Sequence, residues 1–144
     1  MKLDAVFVAI SFVGSDALAL ELGDKGAGVI VSQVVPFPWD NSLPVVASYQ
    51  AALKAANANS QPGFVSLEGY LVGRLAVEAL KRVSGEPTRE ALLDVFAKPS
   101  SFDLGGVKLT YGPAKNQGMD QVFFTILQAD GSFRPVTQLN KTAM

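Results

Sequence analysis

The sequence predicts an α/β fold, and three observations support this prediction. Residues 5–35 contain a strand, a helix and a strand within about 30 residues, which is typical of a βαβ unit with parallel strands. Residues 64–83 carry apolar side chains at helical spacing. Residues 121–136 contain two strand-like runs joined by Asp130 and Gly131, which is typical of a β-hairpin.

The βαβ unit begins with a strand over residues 5–13, whose β-branched and aromatic residues suit a strand covered on both faces. A short helix is predicted at residues 17–22. Ser15 is expected to cap its first turn, and Gly23 is expected to end it with a positive φ angle. The second strand is predicted at residues 27–35.

Three helices are predicted in the middle of the chain. The first runs from Leu43 to Ala56 with Ser42 as its cap, and the second is the apolar helix described above. The third is a short amphipathic helix that ends at Ala97 and begins after Thr88, its predicted cap. Strands are then expected at residues 107–111, 121–128 and 133–136, followed by a loose polar tail from Thr137.

Composition excludes several classes of function. The chain has 144 residues, 49% of them hydrophobic, and a net charge of −1, which disfavours nucleic acid as a partner. It contains no Cys and no His, so disulfides, thiolate catalysis, Ser-His-Asp hydrolysis and Cys/His zinc sites are ruled out within it. No carboxylate pair, nucleophile with a base, or metal cluster has a catalytic spacing, so we expect no enzyme, cofactor or metal.

Glu68 is the most informative polar residue of the apolar helix. On a helical wheel it falls within the apolar arc, so its carboxylate must be paired, hydrogen-bonded or at a cavity. It is either a buried structural acid or an acid that meets a ligand cation in a cleft. Tyr70 points to another side, where it either packs with a solvated hydroxyl or hydrogen-bonds a ligand.

Ser11 and Phe12 lie at the end of the first predicted strand. Ligands of open α/β sheets collect at the carboxyl ends of strands, so these residues are candidate ligand contacts. They serve equally well to finish the strand and fill the core. Phe37 and Trp39, beside two prolines, either line a cleft or pin a crossing segment, and we favour pinning.

The order of motifs resembles the C-terminal part of type I periplasmic substrate-binding proteins, especially the leucine/isoleucine/valine-binding group of amino-acid ABC transporters. The resemblance rests on Phe7-Val8-Ala9-Ile10-Ser11-Phe12-Val13-Gly14-Ser15-Asp16, on Gly28-Val29-Ile30-Val31-Ser32-Gln33, on Gly63-Phe64-Val65-Ser66-Leu67-Glu68-Gly69-Tyr70, and on Ala129-Asp130-Gly131-Ser132-Phe133.

That resemblance implies a partial two-lobed fold that lacks the N-terminal half of the family. Residues 5–35 are then the second-lobe βαβ unit, and residues 36–99 are a hinge crossing and first-lobe helices. Residues 100–144 are return strands and the C-terminal hairpin. It also implies a small amino acid-like ligand, an ABC transporter permease as partner, and a periplasmic location. The N-terminus only loosely imitates a signal peptide, since Asp4 interrupts its basic start.

The family's site carries over only in part. Ser11 occupies the strand-end position where branched-chain amino-acid binders place an acid for the ligand ammonium, and Glu68 is a candidate to replace that acid. Tyr70 matches an aromatic of the family's helix. Because faces meant for the missing half would be exposed, we expect a homodimer. Two alternatives stay open: a small α/β enzyme or sensory domain, and an oligomeric fragment that binds no ligand.

Overall fold

A computed structural model describes residues 5–137, which group into two compact units. The first unit contains the described residues up to Pro38, Gly63–Val65, and the described residues from Gln121 onward. The second unit contains Trp39–Pro62 and Ser66–Asp120. Residues 1–4 and most of the predicted polar tail lie outside the described residues.

The regular elements are numbered here in chain order. The strands are β1 (Val8–Ile10), β2 (Ile30–Gln33), β3 (Ser100–Asp103), β4 (Lys108–Tyr111), β5 (Phe123–Leu127) and β6 (Phe133–Val136). The helices are α1 (Ser15–Leu22), α2 (Pro44–Ala56), α3 (Phe64–Leu80) and α4 (Arg89–Ala97), and short 3-10 turns occupy Ser11–Val13 and Gly23–Gly26.

The first unit is built on a four-stranded sheet with the order β1-β2-β5-β6. Strand β1 pairs with β2 in parallel, and α1 lies between them in the chain, which confirms the predicted βαβ unit. Strands β5 and β6 form the predicted antiparallel hairpin, and β5 also pairs antiparallel with β2. Its core contains Ile30 and Ile126, which lie opposite each other in the β2–β5 register, together with Val136.

The first strand departs from its prediction. We expected residues 5–13 to form a strand covered on both faces, but β1 has three residues and lies at the edge of the sheet. Val8 and Ile10 are 57% and 56% exposed. The β-branched composition identified the strand correctly, but it does not determine how many neighbours a strand has.

The second unit combines α2, most of α3, α4 and the two-stranded antiparallel sheet β3–β4. Its buried side chains come from the helices and from the sheet; the largest include Tyr49, Leu67, Phe102 and Leu104. Phe96 of α4 packs on Phe102 and Tyr111, with ring centroids 5.6 and 5.0 Å away, and so joins the helix to both strands.

The β3–β4 turn is held by the carboxylate of Asp103. It accepts hydrogen bonds from the backbone N–H groups of Gly105 and Gly106, at 2.8 and 3.0 Å. These bonds hold the pKa of Asp103 below its ordinary value. Gly105 has a φ angle of 98°, a conformation that glycine adopts readily, and its carbonyl accepts a hydrogen bond from the N–H of Val45 in α2.

Of the four residues predicted to cap or end a helix, Thr88 and Gly23 are confirmed, and Ser15 and Ser42 are wrong. Thr88 caps α4, because its hydroxyl accepts a hydrogen bond from Ala91 N at 3.2 Å, and Gly23 ends α1 with a φ angle of 55°. Ser15 was predicted to cap α1, but it is the first residue of that helix and Gly14 is the N-cap. Ser42 was predicted to cap α2, but Leu43 takes that position. None of the helices within residues 5–137 is long and apolar enough to cross a membrane.

Candidate functional site

Ser11 and Phe12 lie directly after the carboxyl end of β1, although they were expected to be the last part of the strand itself. They begin the 3-10 turn Ser11–Val13, which is closed by a hydrogen bond from the N–H of Gly14 to the carbonyl of Ser11. Ser11 is half-buried, whereas the side chain of Phe12 is 93% exposed. The core-filling interpretation is therefore wrong for Phe12 within the described chain.

The turn leads into a small pocket of the first unit that the sequence did not predict. This pocket has a volume of about 220 Å³ and is lined by Gly14–Ala17 at the start of α1 and by Phe64 and Val65. The first N–H groups of a helix have no partner within the helix, so this wall offers hydrogen-bond donors. Phe64 packs on Phe37 and Phe133, with centroids 6.2 and 5.8 Å away. The contact between Phe64 and Phe37 supports the interpretation that Phe37 pins the crossing segment.

The start of α1 is anchored by a buried polar network. Gln33 Nε2 donates to Ser15 Oγ at 2.7 Å and to Thr125 Oγ1 at 3.3 Å, and Gln33, Ser15 and Thr125 are all buried. The sequence predicts that the Ser15 hydroxyl caps the helix, but this hydroxyl accepts a hydrogen bond from Gln33 of the sheet. A single-sequence pattern carries no signal for a contact between residues so far apart.

Glu68 belongs to the second unit, and the interpretation of Glu68 as a buried structural acid is wrong. Its side chain is exposed, and the buried residues of α3 are Phe64, Leu67, Leu71 and Ala79. Val65 and Val72, which drew the predicted arc toward Glu68, are themselves 71% and 62% exposed. The carboxylate of Glu68 thus lies on an exposed face that also carries apolar side chains.

Tyr70 has a defined structural role in the second unit. Its ring lies 5.7 Å from that of Tyr49, and its hydroxyl accepts a hydrogen bond from Arg74 Nη1 at 3.2 Å. The guanidinium of Arg74 also lies 5.9 Å from the centroid of the Tyr70 ring. Because the hydroxyl oxygen accepts from Arg74, its own proton is left to donate to another group.

The candidate residues supply hydroxyl, carboxylate and aromatic groups. Residues 5–137 contain no group of three or more Asp, Glu, His or Cys side chains that could hold a metal ion. Ser11 and Tyr70 supply hydroxyls, Glu68 a carboxylate, and Phe12 an exposed aromatic face. Such groups recognise polar and apolar parts of a small molecule by hydrogen bonds, charge and contact.

Residues 2–132 match the family model of the periplasmic binding proteins. No curated protein matches the sequence. Among solved structures, a possible leucine/isoleucine/valine-binding protein from Rhodopirellula baltica SH 1 is 38% identical and has a TM-score of 0.85. The similarity covers 94% of this chain and 36% of that protein.

Two further structures are similar. An extracellular ligand-binding receptor from Verminephrobacter eiseniae ef01-2 is 29% identical with a TM-score of 0.78, over 88% of this chain and 36% of the receptor. The ABC transporter substrate-binding protein of Aeropyrum pernix has a TM-score of 0.77 at 20% identity, over 92% of this chain and 37% of that protein, and supports the fold.

The chain thus spans little more than a third of each of these structures. The region it matches includes the βαβ unit, the three helices and the first strand of the C-terminal hairpin, in the order that the resemblance predicted. The match to the family model extends over most of the sequence. The chain belongs to the periplasmic binding protein family, and its fold is a part of the fold of that family.

Proposed function

We propose that the protein is the solute-binding component of an ABC transporter, with an amino acid or a related small molecule as its ligand. The observation that carries the proposal is the 38% identity over 94% of the chain to a possible leucine/isoleucine/valine-binding protein. The transporter permease is the macromolecular partner in this proposal, and the protein acts outside the cytoplasm, in the periplasm or at the cell exterior. It binds and releases its ligand without chemical turnover.

The two compact units support a division into lobes. In the proposal, the unit with the βαβ sheet contributes to one lobe, and the unit with α2, α4 and the β3–β4 sheet contributes to the other. Around residues 36–40 the chain passes from the first unit to the second, where we place a hinge crossing. The formation of a homodimer also remains a prediction.

Ser11, Phe12, Glu68 and Tyr70 are the proposed ligand contacts. The carboxylate of Glu68 is exposed and carries the charge that attracts an ammonium group. The hydroxyl of Tyr70 is oriented by Arg74 and has a proton to donate. The exposed ring of Phe12 suits an apolar side chain of the ligand, and the hydroxyl of Ser11 suits its polar end.

Thermal unfolding of the complete protein with a panel of L-amino acids tests the proposal. A ligand that binds only the folded state raises the unfolding midpoint with its concentration. We expect leucine, isoleucine, valine or a related amino acid to do so. A panel that leaves the midpoint unchanged at millimolar concentrations contradicts the assignment to amino acids.

Calorimetric titration of variants then tests the contacts. Glu68→Gln removes the charge that faces the ammonium and is expected to weaken binding about tenfold or more. Glu90→Gln is the matched control, because Glu90 is another exposed helix acid, in the first turn of α4. Equal affinities of the Glu68→Gln and Glu90→Gln proteins would remove Glu68 from the site while leaving the amino-acid assignment intact.

A further inference from the structure

Gln33 is a buried polar residue at the carboxyl end of β2, the strand next to the one that leads to Ser11 and Phe12. Strands β1 and β2 are parallel, and Ile10, the last residue of β1, pairs with Ser32. Ser11 and Phe12 follow Ile10, and Gln33 follows Ser32, so the two strands end side by side. Only 1% of the surface of Gln33 is exposed, so its side chain acts on other parts of the protein.

The chain around Ser11 and Phe12 has little apolar packing to hold it. The exposed apolar side chains there include Val8, Ile10 and Phe12, which are 57%, 56% and 93% exposed. Among the residues of α1, all of which the structure describes, Ser15 is the only fully buried one. A buried hydroxyl is nearly always hydrogen-bonded. The start of α1 is thus held at this serine, through its hydrogen bond.

The side-chain amide of Gln33 joins three segments of the first unit. Its Nε2 donates to Ser15 Oγ of α1 at 2.7 Å and to Thr125 Oγ1 of β5 at 3.3 Å. An amide nitrogen carries two hydrogens, so both donors are used. Ser15 and Thr125 are buried as well, and buried hydrogen bonds are electrostatically stronger than those in water. Gln33 therefore ties the start of α1 to two adjacent strands.

Backbone hydrogen bonds at Gly14 connect the start of α1 to the turn that carries Ser11 and Phe12. The N–H of Gly14 donates to the carbonyl of Ser11 at 3.0 Å, and the carbonyl of Gly14 accepts from the N–H of Leu18 at 2.9 Å. The first bond closes the 3-10 turn, and the second belongs to the first turn of α1. Holding Ser15 in place therefore also holds the turn that presents Ser11 and Phe12.

We propose that Gln33 is a positioning residue of the ligand site, which raises affinity by holding Ser11 and Phe12 in place before a ligand binds. The inference rests on the proposed function, because it takes these two residues as ligand contacts. A segment that is already ordered loses less conformational entropy on binding than a loose one. Without the bonds of Gln33, the contact groups are still present, but ordering them costs part of the binding free energy. Affinity then falls for every ligand of the site, while the order of preference among ligands stays the same.

Calorimetric titration of the complete protein with L-leucine tests the proposal. Gln33→Met keeps an unbranched side chain of similar length and removes both donors, and its Kd for leucine is expected to be about tenfold higher. Ile126→Val is the control, because Ile126 is a core residue of the same sheet, and shortening it lowers stability while leaving the network of Gln33 in place. We expect the Ile126→Val protein to bind leucine as the wild type does. Equal affinities of the Gln33→Met and wild-type proteins overturn the proposal.

A double-mutant cycle tests whether Gln33 acts through Ser15. Ser15→Ala removes the acceptor of the shorter of the two bonds of Gln33. If the two residues act as a unit, adding Gln33→Met to the Ser15→Ala protein is expected to raise the Kd for leucine by less than about twofold. A further rise of about tenfold in the Ser15→Ala protein would show that the two effects are independent, and it overturns the route through Ser15.

Hydrogen exchange of the ligand-free protein separates this inference from the proposed function. Peptides that contain residues 11–17 are expected to exchange about tenfold faster in the Gln33→Met protein than in the wild type, while peptides of α2 stay unchanged. The Ile126→Val protein is expected to show no selective change at residues 11–17. If leucine binds not even the wild type, the leucine assignment fails and exchange alone decides, and unchanged exchange at residues 11–17 overturns the positioning role. If Gln33→Met impairs folding, Ser15→Ala gives the same comparison.

Discussion

Gln33 and Ser15 lie 18 positions apart in the sequence and are joined by a hydrogen bond of 2.7 Å from Gln33 Nε2 to Ser15 Oγ. This bond fixes the first residue of α1 against strand β2, and both residues are buried. A single residue, Gly14, separates α1 from the 3-10 turn that carries Ser11 and Phe12. The network therefore holds the segment that presents two of the proposed ligand contacts.

Ser15→Ala is expected to lower the free energy of unfolding by about 1–3 kcal/mol. The substitution leaves a buried amide donor of Gln33 with only its longer bond to Thr125. Ser48→Ala is the control, because Ser48 is an exposed helix serine that bonds the carbonyl of Pro44, and its loss is expected to stay within about 0.5 kcal/mol. Urea unfolding of both variants measures the difference, and equal losses would contradict the importance of the buried bond.

Two glycine substitutions are expected to change stability in opposite directions. A Cβ atom at the buried Gly26 lies 2.7 Å from Leu127 Cδ2 and 2.8 Å from Leu22 Cβ, so Gly26→Ala is expected to cost about 1–3 kcal/mol through overpacking. A Cβ atom at Gly73 within α3 meets nothing within 4 Å. Gly73→Ala should therefore add about 0.5–1 kcal/mol by favouring the helix. The thermal midpoints are expected to rise in the order Gly26→Ala, wild type, Gly73→Ala. A Gly73→Ala protein less stable than the wild type would mean that other atoms pack against α3 at Gly73.

The cap of α4 is predicted to matter more than the serine before α2. Thr88→Ala removes the side-chain acceptor of Ala91 N and is expected to cost about 1 kcal/mol. Ser42 is exposed and bonds Asp40 within a loop, so Ser42→Ala is expected to cost less than about 0.5 kcal/mol. Chemical denaturation measures the unfolding free energy of both variants. Equal losses in the Ser42→Ala and Thr88→Ala proteins would indicate that Ser42 does cap α2.

Acid is predicted to weaken the β3–β4 turn through Asp103. Backbone hydrogen bonds from Gly105 and Gly106 hold the pKa of Asp103 below its ordinary value of 3.8. The carboxylate therefore stabilises the folded chain fully above that value, and this contribution is lost as the pH falls through the lowered pKa. Asp103→Asn removes the charge and makes these hydrogen bonds weaker at neutral pH.

The difference in unfolding free energy between the wild-type and Asp103→Asn proteins should accordingly shrink as the pH is lowered below 3.8. Urea unfolding from pH 6 downward in steps measures it. A difference that stays constant across that range would mean that the charge of Asp103 contributes nothing to the turn.

The sequence was sufficient for most of the fold because its main signals are local. The βαβ unit follows from two β-branched runs around a short helix, and the hairpin follows from the turn at Asp130 and Gly131. Thr88 was identified as a cap because its bond reaches only three residues along the chain. Strand β3 was missed, since Ser100–Asp103 contains a single apolar residue and is defined by its pairing with β4.

The candidate site was less predictable because it depends on burial and distant contacts. Val65 and Val72 are apolar but exposed, so the helical wheel placed Glu68 toward the core when it lies on the surface. Serine is a residue type that commonly caps helices, so the sequence predicted that role for Ser15. Its hydroxyl accepts a hydrogen bond from Gln33, which comes from a strand that forms only in the folded unit. The pocket at Gly14–Ala17 combines segments that are distant in sequence.

The strand order of the first unit also has a consequence for folding kinetics. Strand β2 pairs with β1 from the nearby sequence, but its other neighbour is β5, where Thr125 and Val31 are 94 positions apart. Closing so long a loop costs entropy before the contact stabilises anything. The whole second unit lies between these two residues in the sequence, and its own contacts span shorter stretches of chain. A nascent chain that leaves the ribosome can therefore complete the second unit first, while β2 has one unpaired side until β5 is synthesised.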